Sequence, residues 1–242
     1  CVTAQHREML DQVLLFFDII PDYDLDLMKP NQNLYNLTSE IIIGLRSILE
    51  EEKPDFLFVH GDTTTTMAAS IAGFYSGAKV CHVEAGLRTF NKQAPFPEEI
   101  NRQITGRVAD FHFAPTSRAS ANLEAEGIHS ESVFVTGNTV IDALQLTVKK
   151  VETLQPAFAA SIPFQEKKII LITGHRRENF GKGMRRICEA LKSLAQQRPD
   201  IHLVYPVHLN PNVKNTVFDI LGELKNCSLI EPLQYPDFVW LM

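Results

Sequence analysis

The chain has 242 residues, of which 45% are hydrophobic and 21% charged, and its net charge is −6 at pH 7. This composition is typical of a globular protein of one or two domains and excludes a disordered chain. The acidic balance argues against nucleic acid or a membrane surface as the partner, because both require a concentrated positive charge.

The cysteines predict a reducing compartment. Cys1, Cys81, Cys188 and Cys227 have no short spacing, so we expect a cytoplasmic protein without a disulfide framework or structural zinc site. No apolar run approaches the ~20 residues that span a bilayer, and the first residues do not resemble a signal peptide. The sequence lacks an initiator Met, begins within a predicted strand and ends within a predicted helix. We therefore expect a fragment of a longer chain.

Apolar runs rich in Val, Ile and Phe alternate with amphipathic segments along the chain. The amphipathic segments predict helices at 7–17, 34–52, 64–75, 98–109, 118–126, 139–154, 182–197 and 213–221. The apolar runs predict strands at 55–60, 79–84, 111–115, 132–136, 168–173, 201–207 and 228–231. Runs without polar alternation suit strands covered on both faces, and this order of elements implies parallel pairing. The sequence therefore predicts a doubly wound α/β fold.

A domain boundary is visible where the periodicity weakens, in a stretch with Pro and Ala before Lys168. We predict an N-terminal Rossmann-like domain at 1–138, a connecting helix and linker at 139–166, and a partial C-terminal Rossmann-like domain at 167–242. In such folds the carboxyl ends of the strands carry the ligand site.

Acidic residues follow the first two predicted strands. Asp62 precedes four threonines, so it is either a helix N-cap or a site residue, and a threonine-rich helix N-terminus favours anions. Glu84 ends the second strand. It is either a site residue or the partner of Arg88 in an ion pair. Glu98 begins a helix, a position that the helix dipole favours for any acidic residue.

The strand at 168–173 leads into a loop that contains His175 and Arg176 between glycines. Arginine binds phosphate in bidentate fashion, so this loop is a candidate diphosphate site, with a solvated basic turn as the alternative. The loop matches neither the Walker A pattern nor the dinucleotide-binding glycine pattern.

Two chemistries fit these residues. In one, the ligands of a hydrolase metal ion are His60, Asp62, His82 and Glu84, since residues two apart in a strand share a face. In the other, carboxylates and a histidine transfer protons beside a bound diphosphate without metal. The residues alone leave both open.

Seven motifs, in this order, resemble the non-hydrolysing bacterial UDP-N-acetylglucosamine 2-epimerase family: VTAQHREMLDQV, VHGDTTTT, HVEAGLRT, PFPEEINR, VTGNTVIDAL, TGHRRENFGKG and YPVHLNPNV. The resemblance implies a GT-B-type architecture of two Rossmann-like domains, usually as a homodimer, with no metal or other cofactor. It also implies reversible epimerisation of UDP-N-acetylglucosamine to UDP-N-acetylmannosamine, a precursor of bacterial surface polysaccharides. UDP is eliminated to give 2-acetamidoglucal and is then added back.

The same resemblance implies roles for the residues at the strand ends. Asp62 and Glu98 transfer the C2 proton, and Glu84 lies near the sugar ring. His175 lies at the diphosphate and assists the departure and return of UDP, while Arg176 binds phosphate.

The resemblance also implies contacts to the base and to a second nucleotide sugar. The backbone of Leu233 and the ring of Phe238 face uracil. A regulatory UDP-N-acetylglucosamine site corresponds to Gln5, His6 and His208. One of its contacts is a Gln in the family where this chain has Glu8, and a carboxylate there disfavours a second anionic nucleotide.

The family's opening strand with its phosphate loop and the end of its C-terminal domain are absent from this sequence. The chain as given is therefore expected to be inactive by itself. The alternatives to the epimerase are a GT-B glycosyltransferase, a hydrolysing epimerase and a metal-dependent hydrolase.

Overall fold

The structure, a computed structural model, describes residues 1–4, 7–29, 32–174 and 181–242. The chain divides into two compact units, Cys1–Ala143 and Leu144–Met242. Each unit has a parallel β-sheet with helices between its strands. The α/β class with parallel sheets is therefore confirmed.

The first unit contains a four-stranded sheet in the order β1-β2-β3-β4. Its strands are β1 (Phe56–His60), β2 (Lys79–Val83), β3 (Phe111–Ala114) and β4 (Val133–Val135). Its helices are α1 (Arg7–Phe16), α2 (Leu34–Glu52), α3 (Thr64–Ser76), α4 (Glu98–Val108) and α5 (Ser117–Ala125). A further helix, α6 (Thr139–Val151), begins in this unit and ends in the second.

The core of the first unit lies between α2, α3 and the sheet. An apolar stripe at four-residue spacing along α2 is buried and consists of Leu37, Ile41, Leu45 and Leu49. It packs in one cluster with the small residues of α3, Ala68, Ala69 and Ala72. Because a Cβ on Gly73 would lie 2.6 Å from Leu57 Cδ2, glycine at this position allows α3 to pack directly on β1.

The second unit contains a three-stranded sheet in the order β5-β6-β7. Its strands are β5 (Lys168–Leu171), β6 (Ile201–Pro206) and β7 (Cys227–Ile230), and its helices are α7 (Lys182–Gln197), α8 (Pro211–Leu221) and α9 (Tyr235–Leu241). The central strand β6 is buried over five of its six residues, as expected for a strand covered on both faces.

Two local expectations are wrong. The first residues were predicted as a strand, but they form only an isolated bridge between Val2 and Asp24, because Ala4 turns out of the extended conformation with φ of 52°. The prediction that strands are covered on both faces also fails for β1, where Phe56 and Phe58 are 53% and 63% exposed.

The boundaries at 138/139 and 166/167 stay predictions beside the observed division after Ala143. Among the helices that the structure describes, none is long and apolar enough to cross a membrane.

Candidate active site

Two strand ends bring Asp62 and Glu84 to one edge of the first sheet. The strands β1 and β2 pair in parallel, with His60 opposite Val83. Beyond this pair, the backbone N–H of Gly61 donates to Val83 O at 3.0 Å. Gly61 has φ of 76°, a conformation that glycine adopts without strain, so the chain turns there and presents the next residue, Asp62, at the carboxyl edge.

Asp62 is held by an arginine of α4. Arg102 donates to Asp62 Oδ2 from Nε at 3.0 Å and from Nη2 at 2.6 Å. The N-cap of α3 is Thr63, whose side chain accepts the backbone N–H of Thr66. The interpretation of Asp62 as a helix cap is therefore wrong, and its carboxylate is available for another role.

Glu84 lies directly beyond β2 in a left-handed backbone conformation, with φ of 65°. For a residue with a Cβ this conformation costs about 1–3 kcal/mol and occurs mainly where function maintains it. Asn138 Nδ2 donates to Glu84 Oε1 at 3.0 Å, and a Cβ on Gly61 would lie 3.5 Å from Glu84 Oε2. The Glu84 carboxylate thus lies beside the turn that carries Asp62.

Arg88 does not pair with Glu84, so the predicted Glu84–Arg88 ion pair is wrong. Its side chain is fully buried and forms a bidentate pair with Glu126, from Nε at 2.7 Å and from Nη2 at 2.8 Å. This pair fastens the loop after β2 to the end of α5, and it leaves Glu84 without a cationic neighbour from its own motif.

Two adjacent glutamates begin α4 and have different surroundings. Glu98 is half-buried and makes no hydrogen bond or ion pair with any residue that the structure describes. Glu99 is fully buried and accepts the backbone N–H groups of Thr89 and Phe90 at 3.0 Å each, as well as Gln103 Nε2 at 3.1 Å. Burial alone would raise the pKa of the Glu99 carboxyl, but these hydrogen bonds outweigh it and hold the pKa below its usual value. Glu99 is therefore a structural anion, whereas Glu98 is free to act.

The histidines proposed as metal ligands do not form a metal site. His82 is fully buried on β2, with Nε2 2.8 Å from Gly61 O, and burial lowers its pKa to about 4. His60 is exposed. Within residues 1–4, 7–29, 32–174 and 181–242, no group of three or more His, Cys, Asp or Glu side chains is arranged to hold a metal ion.

The second unit places the remaining described candidates around the ends of β6 and β7. Leu233 follows β7 and is partly buried against the cluster that contains Val204 and Leu241. Phe238 lies half-buried in α9. His208 is exposed after β6, and its Nδ1 accepts the backbone N–H of Asn210 at 3.1 Å. The other candidates lie outside the described residues: Gln5, His6, His175 and Arg176.

Comparison with known proteins decides the family. The family model described as UDP-N-acetylglucosamine 2-epimerase matches residues 1–242. The chain belongs to this family. The UDP-N-acetylglucosamine 2-epimerase of Escherichia coli K12 is 54% identical to it, and a probable UDP-N-acetylglucosamine 2-epimerase of Ralstonia solanacearum is 55% identical. Both comparisons cover all of this chain and 66% of the relative, so the chain spans about two thirds of the length of these curated relatives.

Solved 2-epimerases share the fold. The crystal structure of the Neisseria meningitidis UDP-GlcNAc 2-epimerase bound to UDP-GlcNAc has a TM-score of 0.86 at 50% identity, covering all of this chain and 66% of that one. The Methanocaldococcus jannaschii UDP-GlcNAc 2-epimerase in complex with UDP-GlcNAc and UDP has a TM-score of 0.74 at 30% identity, covering 99% of this chain and 67% of that one. The predicted fold class, two Rossmann-like parallel-sheet units of the GT-B type, is confirmed.

Three residues that were not predicted from the sequence lie around the candidate site residues of the first unit. Arg102, Asn138 and Glu99 had no assigned role, although Arg102 and Glu99 stand in the PFPEEINR motif and Asn138 in VTGNTVIDAL. The available signal was the helical spacing of Arg102, three residues after Glu99 and four after Glu98. The contact between Arg102 and Asp62 had no local signal, because 40 positions separate them.

Proposed function

We propose that the full-length form, meaning this chain completed to the length of its relatives, interconverts UDP-N-acetylglucosamine and UDP-N-acetylmannosamine for bacterial surface polysaccharide precursors. The observation that carries the proposal is the carboxylate arrangement in the first unit. Asp62 and Glu84 follow neighbouring parallel strands, and Arg102 links Asp62 to the first turn of the helix that begins at Glu98. Relatives of the same family have been crystallised with UDP-GlcNAc or UDP.

The chemistry follows from the weak acidity of the proton at C2. A carboxylate takes this proton, the C–H electron pair becomes the C1–C2 double bond, and the C1–O bond breaks with its electrons leaving on UDP. UDP then adds back to 2-acetamidoglucal while a proton reaches C2 from the opposite face. Two transfers on opposite faces require more than one acid–base group, and we assign them to Asp62 and Glu98.

Ionic and hydrogen-bond contacts support different roles for the three carboxylates. Asp62 accepts two hydrogen bonds from Arg102, which fix the direction of its carboxylate and support its assignment as a proton-transfer group. Glu98 has no partner among the described residues and is available to exchange a proton with the sugar. Glu84 is oriented by Asn138 and is assigned to the sugar ring.

The second unit is proposed to hold the nucleotide. His175 and Arg176 are assigned to the diphosphate, where a histidine and a bidentate guanidinium suit the leaving group. The backbone of Leu233 and the ring of Phe238 are assigned to uracil, and the burial of the Leu233 side chain against the core supports a backbone contact. No metal or other cofactor is required in this scheme.

Assembly, location and regulation are proposed from the family. We propose a cytoplasmic homodimer, and a regulatory nucleotide-sugar site at Gln5, His6 and His208. Glu8 is exposed at the start of α1, and repulsion between its carboxylate and a second anionic nucleotide makes binding at this regulatory site weaker than in relatives with Gln at this position.

The test is product analysis by anion-exchange chromatography of the full-length form incubated with UDP-N-acetylglucosamine. We expect UDP-N-acetylmannosamine as the product, with about a hundredfold or greater loss of kcat in Asp62→Asn and in Glu98→Gln. The control is Glu131→Gln, which removes an exposed carboxylate in the short helix Ser130–Ser132 and should leave the rate unchanged.

Other products would contradict the proposal. Free N-acetylmannosamine with UDP would indicate a hydrolysing epimerase, and sugar transfer to an acceptor would indicate a glycosyltransferase. Loss of the activity on treatment with a chelator would indicate the metal-dependent hydrolase.

A further inference from the structure

Side chains of helix α4 bind both the backbone and the side chain of Asp62. Asn101, which is only 3% exposed, donates from Nδ2 to the carbonyl oxygen of Asp62 at 2.9 Å. The next residue, Arg102, donates twice to the carboxylate. Consecutive residues of one helix therefore fix the position of Asp62 and the direction of its side chain.

The arginine contact is one-sided. Both guanidinium nitrogens that reach Asp62, Nε at 3.0 Å and Nη2 at 2.6 Å, donate to Oδ2. Oδ1 accepts no hydrogen bond from the part of the chain that the structure describes. Arginine–carboxylate pairs are frequently bidentate, with each oxygen accepting one N–H group, as in the Arg88–Glu126 pair of this protein. Here one oxygen is engaged, and the other is left to accept a proton.

Arg102 is itself held in place. Its side chain is 15% exposed, and Nη1 contacts Glu99 Oε2 at 3.3 Å. Glu99 is fully buried and is bound by the backbone N–H groups of Thr89 and Phe90. The guanidinium therefore lies between two carboxylates, one anchored in the protein interior and the other at the carboxyl edge of the sheet.

The same helix carries Glu98, the other group assigned to proton transfer. Through Arg102, the carboxylate of Asp62 is linked to Glu99 in the first turn of α4, next to Glu98 in sequence. Alignment of this kind strongly affects proton-transfer rates, because small displacements of a catalytic group reduce them greatly.

We propose that Arg102, anchored by Glu99, is a positioning residue that holds Asp62 with Oδ1 directed for transfer of the C2 proton. This inference rests on the proposed epimerase function. Arg102 acts through Asp62, to which it donates hydrogen bonds, and is not itself assigned to proton transfer.

The experiment compares three variants of the full-length form, Arg102→Met, Arg102→Lys and Arg107→Met. Arg107 is the matched control, because it lies on the same helix and is exposed, and because among the described residues it donates only to the backbone carbonyl of Glu126. We expect Arg102→Met to lower kcat by about a hundredfold while KM changes less than about threefold, since the lost interaction acts on the reacting group and not on substrate binding. Arg102→Lys should recover about a tenth of the wild-type kcat, because it restores the charge but not the paired donors.

A second measurement does not depend on activity. Hydrogen–deuterium exchange of the amides at 61–66 should be about tenfold faster in Arg102→Met than in wild type, and unchanged in Arg107→Met. The proposal is overturned if kcat of Arg102→Met stays within about threefold of wild type. It is also overturned if Arg107→Met loses as much kcat as Arg102→Met, or if amide exchange at 61–66 is the same in Arg102→Met as in wild type. An inactive wild type would refute the proposed function instead. The exchange data would then test by themselves whether Arg102 holds Asp62 in position.

Discussion

Substitution of Gly86 by alanine tests how closely the loop after β2 packs on α5. A Cβ on Gly86 would lie 2.2 Å from Ala119 O and 3.0 Å from Leu123 Cγ. The first contact is with a helix carbonyl, which cannot move without distorting α5. Gly86 also has φ of 87°, in the left-handed region that an L side chain disfavours.

The magnitude is the sum of two costs. The left-handed backbone costs an alanine about 1–2 kcal/mol, and overpacking against Ala119 adds about 1–3 kcal/mol. Gly127 provides a matched control, because it has φ of 83° but nothing within 4 Å of an added Cβ. Gly127→Ala should therefore cost only the first amount, and Gly86→Ala about 2 kcal/mol more.

The assay is urea denaturation of the full-length form, followed by circular dichroism. With a slope of about 2 kcal/mol per molar urea, the midpoint of Gly86→Ala should lie about 1 M below that of Gly127→Ala. Equal midpoints would refute the reasoning, because they would show that the loop after β2 does not press against α5.

Three further substitutions or conditions test the surroundings of the site, each by the same denaturation. His82 stays neutral in the folded state down to its pKa of about 4, whereas in the unfolded chain it gains a proton below about pH 6.5. Because the unfolded chain then binds more protons, the free energy of unfolding should fall by about 3 kcal/mol from pH 6.5 to 4. His82→Gln should flatten this fall, and equal acid sensitivity of both proteins would contradict the assignment. Glu126→Ala removes the ionic partner of the fully buried Arg88 side chain and should cost about 3 kcal/mol of stability. Glu50→Ala, which breaks the exposed pair with Arg46, should cost less than about 0.5 kcal/mol. Similar losses in the two variants would refute a structural role for the buried pair. Thr63→Ala removes the N-cap of α3 and should cost about 1 kcal/mol, and an unchanged midpoint would mean that the cap is not needed.

The sequence predicted the fold class and most element positions because local patterns encode them. The stripe from Leu37 to Leu49 follows helical periodicity, and the run of β6 is short and apolar except for His202. The first residues were misjudged because their strand pattern is interrupted by the left-handed conformation of Ala4, which no neighbouring residue type signals.

The candidate site was predictable only as far as strand ends locate it. Asp62 and Glu84 follow apolar runs, and parallel pairing brings such positions to one edge. Their partners were not predictable, because Arg102 lies 40 positions from Asp62 and Asn138 lies 54 from Glu84. The predicted ion pair between Glu84 and Arg88 is wrong for the same reason, since the partner of Arg88 is Glu126, 38 positions away.

The central claim is that the full-length form removes and replaces the proton at C2 of UDP-N-acetylglucosamine. Proton NMR in D2O measures this directly, because a C2 proton lost to a carboxylate is replaced by solvent deuterium. The account predicts that deuterium enters C2 as UDP-N-acetylmannosamine appears, and that Asp62→Asn and Glu98→Gln slow the exchange. Epimer formation with the original proton retained at C2, or nucleotide binding without any exchange, would contradict it.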